Sequence, residues 1–207
     1  MKTANRLTEY RKELKGRILE VAVDEFLKSG IRAVKMDDIA RLLGISKRTL
    51  YEIYPNKEDI LLECIKMRHN EEDQQMATFL QEEPRSPMDI ILEFFRMQMN
   101  SLASLPPVFL SDINRYPRVL VYLKHRHDSR RERTLHFFEK GAEEGFFRND
   151  VDYALITQIG DGMMQSAIMQ QLYKEYDLPY IFRNVLFLFL RGFCTQKGLA
   201  ALDETLK

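Results

Sequence analysis

Lysine, arginine, threonine and tyrosine occur together in the short segment Lys47–Tyr51, which reads Lys-Arg-Thr-Leu-Tyr. Cationic side chains attract phosphate groups and can donate to the acceptor atoms of guanine, while hydroxyl groups can hydrogen-bond to phosphate oxygens. If this segment is helical and Leu50 is turned inward, the other four side chains face outward. The segment therefore predicts a surface that contacts double-stranded DNA.

Two short helices would hold this surface in place, the first over about Met36–Leu43 and the second over Lys47–Ile53. Gly44 between them can take a positive φ without steric cost, and the Ser46 hydroxyl can cap the second helix. Ala40 is small enough to let two helices cross closely. The apolar residues that would fix the crossing are Ile39, Leu43, Ile45, Leu50 and Ile53. This pattern is typical of a helix-turn-helix; the alternative is two helices that simply pack and leave a solvated polar face.

The same region resembles the DNA-binding domain of the TetR family of bacterial transcription regulators. The resemblance extends over about 55 residues and is carried by residues 18–26, Gly30, 38–40, 44–46, 49–51 and 55–61. The rest of the chain resembles the family only in its helical pattern and its length. The resemblance implies a homodimeric, ligand-responsive repressor.

The resemblance also implies roles for individual residues. It places Lys47 and Arg48 against base edges or phosphates, and Thr49 and Tyr51 against the phosphate backbone. Lys57, at the start of a fourth helix, would face another phosphate.

Two places depart from the family pattern, Lys35 and the pair Ile53–Tyr54. The family often has His or Tyr at the position of Ile53 and Phe at that of Tyr54, so an apolar Ile53 removes one expected backbone contact. Lys35 stands where the family commonly has a threonine that caps the second helix and donates to a phosphate. Lys35 could still reach a phosphate, but lysine is a poor cap, so another group must stabilise the start of this helix. Lys35 is therefore included among the predicted DNA-binding residues. Ser46, the predicted cap of the second short helix, is included as well.

Helical periodicity organises the whole chain, and no segment alternates apolar and polar residues over the length of a strand. We predict an all-α fold of about nine helices. A three-helix helix-turn-helix DNA-binding domain would occupy residues 1–57, and a larger helical ligand-binding and dimerisation domain would occupy 58–207. A long helix over about 57–82 would link them. Residues 1–68 carry a net charge of +4 and the rest −4, which favours a polyanionic partner for the first part, although a solvated basic face would give the same count.

Two helical segments near the C-terminus predict a homodimer. The segment 181–193 is apolar on nearly every side, so one neighbouring helix cannot bury all of it. Small residues that permit close approach lie on the preceding helix: Gly160, Gly162, Ser166 and Ala167. Two such helices from each chain, at about 151–173 and 179–197, would form a four-helix interface of the kind the family uses. The alternative is ordinary packing within one chain.

Methionine and phenylalanine are plentiful, with 10 and 13 residues, and could line an adaptable pocket for an apolar or amphipathic small molecule. The candidate residues of this effector pocket are Phe94, Met97, Tyr122, His125, Met164 and Gln165. The alternative is that methionine and phenylalanine at helical spacing form the core.

The composition and the missing motifs exclude several classes of protein. The 207 residues include 31 acidic and 31 basic residues and 45% hydrophobic residues, the mixture of a chain that can bury a core. The longest apolar run, 185–190, is too short to span a membrane, and no signal peptide is recognisable, so we expect a cytoplasmic protein. His125 and His127 point in different directions on a helix, and no phosphate-binding loop or nucleophile elbow occurs. We therefore expect no enzyme activity, metal or cofactor.

These features predict a transcription regulator that binds an inverted-repeat operator as a homodimer and is released by a small-molecule effector. The competing hypothesis is a non-enzymatic helical module that binds a ligand or a protein without specific DNA binding. The neutral net charge, Lys35 and Ile53 favour that alternative.

Overall fold

The computed structural model describes residues 2–205, and it describes side-chain burial for residues 9–204. Within this range the chain forms ten α-helices, a 3-10 turn at Leu172–Lys174 and no β-strand longer than an isolated bridge. The helices are α1 (Lys2–Ser29), α2 (Met36–Leu43), α3 (Lys47–Ile53), α4 (Lys57–Glu82), α5 (Pro87–Ala103), α6 (Pro107–Ile113), α7 (Pro117–Glu143), α8 (Tyr153–Met169), α9 (Leu178–Phe193) and α10 (Gln196–Thr205). The all-α prediction is confirmed.

The described residues form ten helices rather than about nine, partly because the segment predicted as one helix at 179–197 is divided between α9 and α10. The backbone is extended at Cys194 and forms an antiparallel bridge with Phe147. Two hydrogen bonds of 2.8 and 3.0 Å join residues 193–195 to Phe146–Arg148. These partners lie almost 50 residues away in the chain, so local periodicity does not reveal the break.

The helix predicted at 151–173 is also shorter in the structure. Arg148 binds the carboxylate of Asp150 at 2.6 and 2.9 Å, and Asp152 caps α8 by accepting the Leu155 N–H at 2.9 Å, so α8 begins only at Tyr153. At the other end, Gln171 takes a φ of 57° and ends the helical path after Met169. The later start and the earlier end of α8 depend on one side-chain cap and one backbone conformation, which the spacing of apolar residues does not indicate.

The chain divides into two compact units. The N-terminal unit comprises the residues up to Glu71 together with Leu105–His125, and the C-terminal unit comprises Glu72–Ser104 together with the residues from Arg126 onward. Helices α4 and α7 contribute residues to both units. Each unit is thus assembled from separate stretches of chain, whereas the sequence-based boundary divides the chain once, between residues 57 and 58; that functional boundary stays a prediction.

The core of the N-terminal unit is built on α1. The buried side chains of α1 follow one face at a spacing of four residues: Leu14, Ile18, Ala22 and Phe26. They pack in one cluster with buried residues of the next three helices, including Ile39, Leu50 and Ile60. This shared core attaches α2 and α3 to α1 and α4.

The C-terminal unit has an aromatic cluster at its centre, formed by Phe137, Phe138, Phe147, Tyr153 and Phe193. The Phe147 ring is fully buried, and its centroid lies 5.5–5.7 Å from three of the other rings. A Cβ atom at Gly141 would overlap the Phe147 ring. Glycine at this position therefore makes room for the ring.

No helix in the described range is long and apolar enough to cross a membrane. The same part of the chain contains no group of three or more His, Cys, Asp or Glu side chains that could hold a metal ion.

Candidate nucleic-acid interface

The turn between α2 and α3 has the geometry that its sequence predicts. Gly44 takes a φ of 65°, and its N–H donates to the Arg41 carbonyl at 3.1 Å. The Ile45 N–H donates to the Ala40 carbonyl at 3.0 Å, and the Ala40 side chain is buried. The predicted apolar contacts Ile39, Leu43, Ile45, Leu50 and Ile53 all belong to the core of the N-terminal unit or pack against it. The helix-turn-helix geometry is therefore fixed by local sequence and by this core together.

The start of α3 is capped by Ser46, as predicted. Its Oγ accepts the Thr49 N–H at 3.0 Å and forms a second hydrogen bond of 2.8 Å with the Thr49 hydroxyl. Leu50 points into the core, whereas 67% of the Lys47 side chain and 88% of the Arg48 side chain are exposed. Tyr51 is also exposed. The structure thus brings five of the predicted residues together on one short helix and its N-cap, with Leu50 anchoring that helix in the core.

Both cations on this face are paired with carboxylates. Lys47 forms an ion pair with Asp37 at the start of α2, and Arg48 donates to Glu52 at 2.9 Å one turn further along α3. The hydrogen bond to Asp37 and the charge of Asp37 raise the pKa of Lys47, so Lys47 remains cationic. Asp37 and Glu52 are not among the residues predicted from the sequence to contact DNA. The i,i+4 spacing marks the Arg48–Glu52 pair, but only tertiary structure brings Asp37 to Lys47.

Lys35 lies exposed immediately before α2, and Asp38 stabilises the start of this helix. The Asp38 carboxylate accepts the Lys35 N–H at 3.1 Å and binds the Arg41 side chain at 2.7 Å. Asp37 and Asp38 also place two negative charges in the first turn, where they interact favourably with the helix dipole. The helix start that lysine caps poorly is therefore stabilised by carboxylates.

Lys57 has a different environment from the one its predicted role suggests. Its ammonium group donates to the carbonyl oxygens of Ile31 and Val34 at 2.7 Å and of Arg32 at 3.2 Å. Burial lowers the pKa of Lys57, and the charge of Asp112 opposes that shift. Three carbonyl acceptors match the three protons of an ammonium group. The structure therefore uses this side chain to hold the α1–α2 connection, and a phosphate contact by Lys57 stays a prediction.

The six residues predicted for an effector pocket fall into two groups. Tyr122 and His125 belong to the N-terminal unit, where the Tyr122 hydroxyl lies 3.2 Å from His69 Nδ1 and His125 is exposed. The other four belong to the C-terminal unit: Phe94 and Met97 on α5, and Met164 and Gln165 on α8. Met97 is buried and Gln165 is exposed. Their role as effector contacts stays a prediction.

The C-terminal unit has an open groove of about 510 Å³ along α5. Its lining residues are Phe79, Arg85, Asp89, Leu92, Glu93, Phe95, Arg96, Met99 and Asn100. None of them is among the six predicted pocket residues. The lining combines aromatic and aliphatic surface with charged groups, of which Arg96 and Glu93 bind each other at 2.5 and 2.8 Å.

Comparison with known sequences gives one family match over the helix-turn-helix and one similar repressor sequence. Residues 18–64 match the family model described as bacterial regulatory proteins, tetR family. The chain is 25% identical over 150 residues to the HTH-type transcriptional repressor KstR2 of Mycobacterium tuberculosis, a match that covers 69% of this chain and 73% of KstR2.

Solved structures share the fold over most of the chain. A protein from Saccharomonospora viridis in complex with choline superposes with a TM-score of 0.72 and 18% identity, covering 89% of this chain and 100% of that one. The transcriptional regulator FadR from Bacillus subtilis in complex with stearoyl-CoA gives a TM-score of 0.64 and 18% identity, covering 85% and 97%. The helix-turn-helix geometry and the match of residues 18–64 identify the N-terminal part of the chain as a helix-turn-helix domain of the TetR family, and the chain is similar in sequence to the transcriptional repressor KstR2.

Proposed function

We propose that this protein is a repressor that binds an inverted-repeat operator as a homodimer and is released from it by a small-molecule effector. The observation that carries the DNA-binding part is the exposed Lys47–Tyr51 face of α3, mounted on a helix-turn-helix by the buried Leu50. The name of KstR2 as a transcriptional repressor supports the sign of regulation. Since DNA is the proposed partner, we propose that the protein acts in the cytoplasm. We also propose that it is a regulator and not an enzyme.

On DNA, the N-terminal part of α3 would enter the major groove. Lys47 and Arg48 would leave Asp37 and Glu52 to reach base edges or phosphates, while Thr49 and Tyr51 would donate to the phosphate backbone. Ser46 would hold Thr49 in place through the hydrogen bonds described above.

Two further phosphate contacts would lie outside α3. Lys35 would supply one of them before α2. At α4, the positive end of the helix dipole at Lys57 would favour a phosphate even with the Lys57 ammonium group occupied.

The carboxylate beside Arg48 gives a first prediction. Glu52→Gln removes a negative charge from the proposed DNA face of each chain, and we expect affinity for random duplex DNA to rise about threefold at low salt for each head that contacts the DNA, the effect of one charge at about 7 Å in water. Glu144→Gln is the matched control, because it removes the same charge from an i,i+4 pair with Lys140 in the C-terminal unit. Fluorescence anisotropy with a labelled duplex measures both. Equal affinities for the two variants would contradict the placement of Glu52 beside DNA.

The proposed dimer rests on apolar surface that one chain leaves uncovered. Leu155, Ile159 and Met163 follow each other at a spacing of four residues along α8, and all three are exposed. Leu188 on α9 is exposed as well, at 65%. Gly162 lies on α8 with no atom within 4 Å of the position where a Cβ would stand. Exposed apolar side chains in a continuous row mark a protein–protein interface, and small residues beside them permit close approach.

A charge in this row should separate the two chains. We expect Ile159→Arg to be monomeric at micromolar concentration, and to bind an inverted repeat at least about 100-fold more weakly because two heads no longer bind together. Val121→Arg is the control, since Val121 is equally apolar and 56% exposed but lies on α7 in the N-terminal unit. Sedimentation velocity reports the oligomeric state. A dimeric Ile159→Arg variant would refute α8 as the interface.

For the effector, we propose an apolar or amphipathic small molecule bound by the C-terminal unit. The groove along α5 supports this class because its apolar residues, including Phe95 and Met99, adjoin the charged Arg85 and Arg96. The choline and stearoyl-CoA bound by the two related structures show that proteins of this fold hold small ligands. Release would follow from population shift: a ligand that binds one separation of the DNA-binding heads better than another moves the equilibrium towards it.

A further inference from the structure

The connection between α1 and α2, residues 30–35, has no regular secondary structure of its own and is held by hydrogen bonds from residues elsewhere in the chain. Ile31 and Val34 are buried in the N-terminal unit. Their carbonyl oxygens, with that of Arg32, accept hydrogen bonds from the Lys57 ammonium group at the start of α4. Since α2 begins at Met36, whatever holds this connection also holds the entry to the helix-turn-helix.

Helix α6 holds the same connection from a distant part of the sequence. The Asp112 carboxylate accepts the Arg32 N–H at 2.8 Å, across 80 residues of chain. A Cβ atom at Gly30 would lie 2.8 Å from a methyl group of Val108 and 3.2 Å from Asp112 Oδ2. The absence of a side chain at Gly30 therefore lets α6 pack directly on the backbone there.

A buried carboxylate at this place is expected to contribute less to the free energy of unfolding than a well-packed apolar side chain would. Asp112 is 7% exposed, and no other charged side chain in the described range is as deeply buried. Removing a carboxylate from water is unfavourable unless charged or hydrogen-bonded partners compensate it. The Arg32 N–H and the nearby charge of Lys57 provide that compensation. What the carboxylate gains over an apolar side chain is a directed hydrogen bond to one backbone amide.

We propose that Asp112 is a positioning residue for operator binding: through the Arg32 N–H it fixes the α1–α2 connection, and with it the orientation of α2 and α3. This inference rests on the proposed DNA-binding function and assigns to it a residue outside the helix-turn-helix. Contacts with base edges require side chains to be placed within a fraction of an ångström, whereas attraction to phosphates tolerates displacement. Loss of the Asp112 hydrogen bond therefore reduces operator affinity more than affinity for random DNA.

The test measures the ratio of operator affinity to random-duplex affinity, using the preferred sequence selected by the wild-type protein. We expect Asp112→Ala to lower this ratio about tenfold, the effect of losing one hydrogen bond to a charged group. Asp112→Asn keeps an acceptor oxygen of the same reach and should restore most of the ratio. Ser86→Ala is the structural control: it removes the cap of α5, where Ser86 Oγ accepts the Asp89 N–H at 3.2 Å, and so lowers stability without touching the α1–α2 connection.

Asp112→Glu provides a second variant that retains the charge if alanine prevents folding. The additional methylene of glutamate displaces the carboxylate from the Arg32 N–H, so we expect the ratio of operator affinity to random-duplex affinity to fall. A cooperative urea unfolding transition would show that this variant is folded. An unchanged ratio in folded Asp112→Ala or Asp112→Glu, with a wild-type protein that prefers its operator, overturns the positioning role alone. A wild-type protein with no sequence preference overturns this inference together with the proposed function.

Discussion

Replacing Lys47 and Arg48 together by alanine should abolish sequence-specific DNA binding and leave the fold intact. The two side chains are exposed, contact no apolar core and bind only the surface carboxylates of Asp37 and Glu52. Their loss therefore has little effect on stability. Each specific base contact contributes about 1–3 kcal/mol, and the proposed homodimer loses four side chains, so we expect operator affinity to fall at least about 100-fold.

The control for this variant removes the same charge elsewhere. Arg133 and Lys140 are exposed on α7 in the C-terminal unit, and their double alanine variant changes the net charge equally. Anisotropy titrations with operator and with random duplexes at several salt concentrations separate the two effects. We expect the control to bind operator as the wild type does. If operator affinity falls equally in both double variants, binding depends on net charge alone, and the α3 face does not recognise the operator.

The second large effect concerns stability. Phe147→Ala should lower the free energy of unfolding by about 3–5 kcal/mol, the usual cost of removing a fully buried aromatic ring. The ring lies within 5.5–6.4 Å, centroid to centroid, of the four other rings of the aromatic cluster, so alanine would leave a cavity that its neighbours cannot easily fill. Since small domains are stable by only about 5–15 kcal/mol, this change removes a large share of the total.

Urea unfolding followed by circular dichroism measures the loss. Phe94→Ala is the matched control, because Phe94 lies in the same unit but is 39% exposed, and we expect a clearly smaller effect. Gly141→Ala examines the same site from the other side: its methyl group would overlap the Phe147 ring, and we expect destabilisation of about 1–3 kcal/mol. If Phe147→Ala costs no more than Phe94→Ala, the aromatic cluster is not the core of this unit.

The helix-turn-helix could be predicted from sequence because neighbouring residues determine it. Gly44 and Ser46 act within a few residues of themselves, as a turn and as a cap. Asn56 and Asp59, three residues apart, form hydrogen bonds of 2.8 and 3.0 Å at the start of α4. Such signals survive in a single sequence because the interacting groups are always close along the chain.

The interactions that sequence did not predict join distant residues. The Lys57 ammonium group reaches carbonyls 23–26 residues away, and Asp112 reaches Arg32 across 80 residues. A lysine at a helix start or an aspartate on a short helix can bind several kinds of partner, and the tertiary packing determines which partner lies within reach. The same holds for Tyr122, which packs in the N-terminal unit although its residue type suits a ligand pocket. Residue type and local spacing therefore predict the geometry of α3, whereas the DNA and effector contacts stay predictions.

Selection of bound sequences from a random duplex library would test whether this protein recognises an operator. At about 150 mM salt, where non-specific binding is weak, the wild-type protein should enrich an inverted repeat whose half-sites lie about 34 Å apart or a multiple of that distance. The Lys47/Arg48 double alanine variant should enrich none. If folded, dimeric wild-type protein enriches no sequence, the claim of operator binding is wrong, and a helical module that binds a ligand or a protein without specific DNA binding becomes the better account.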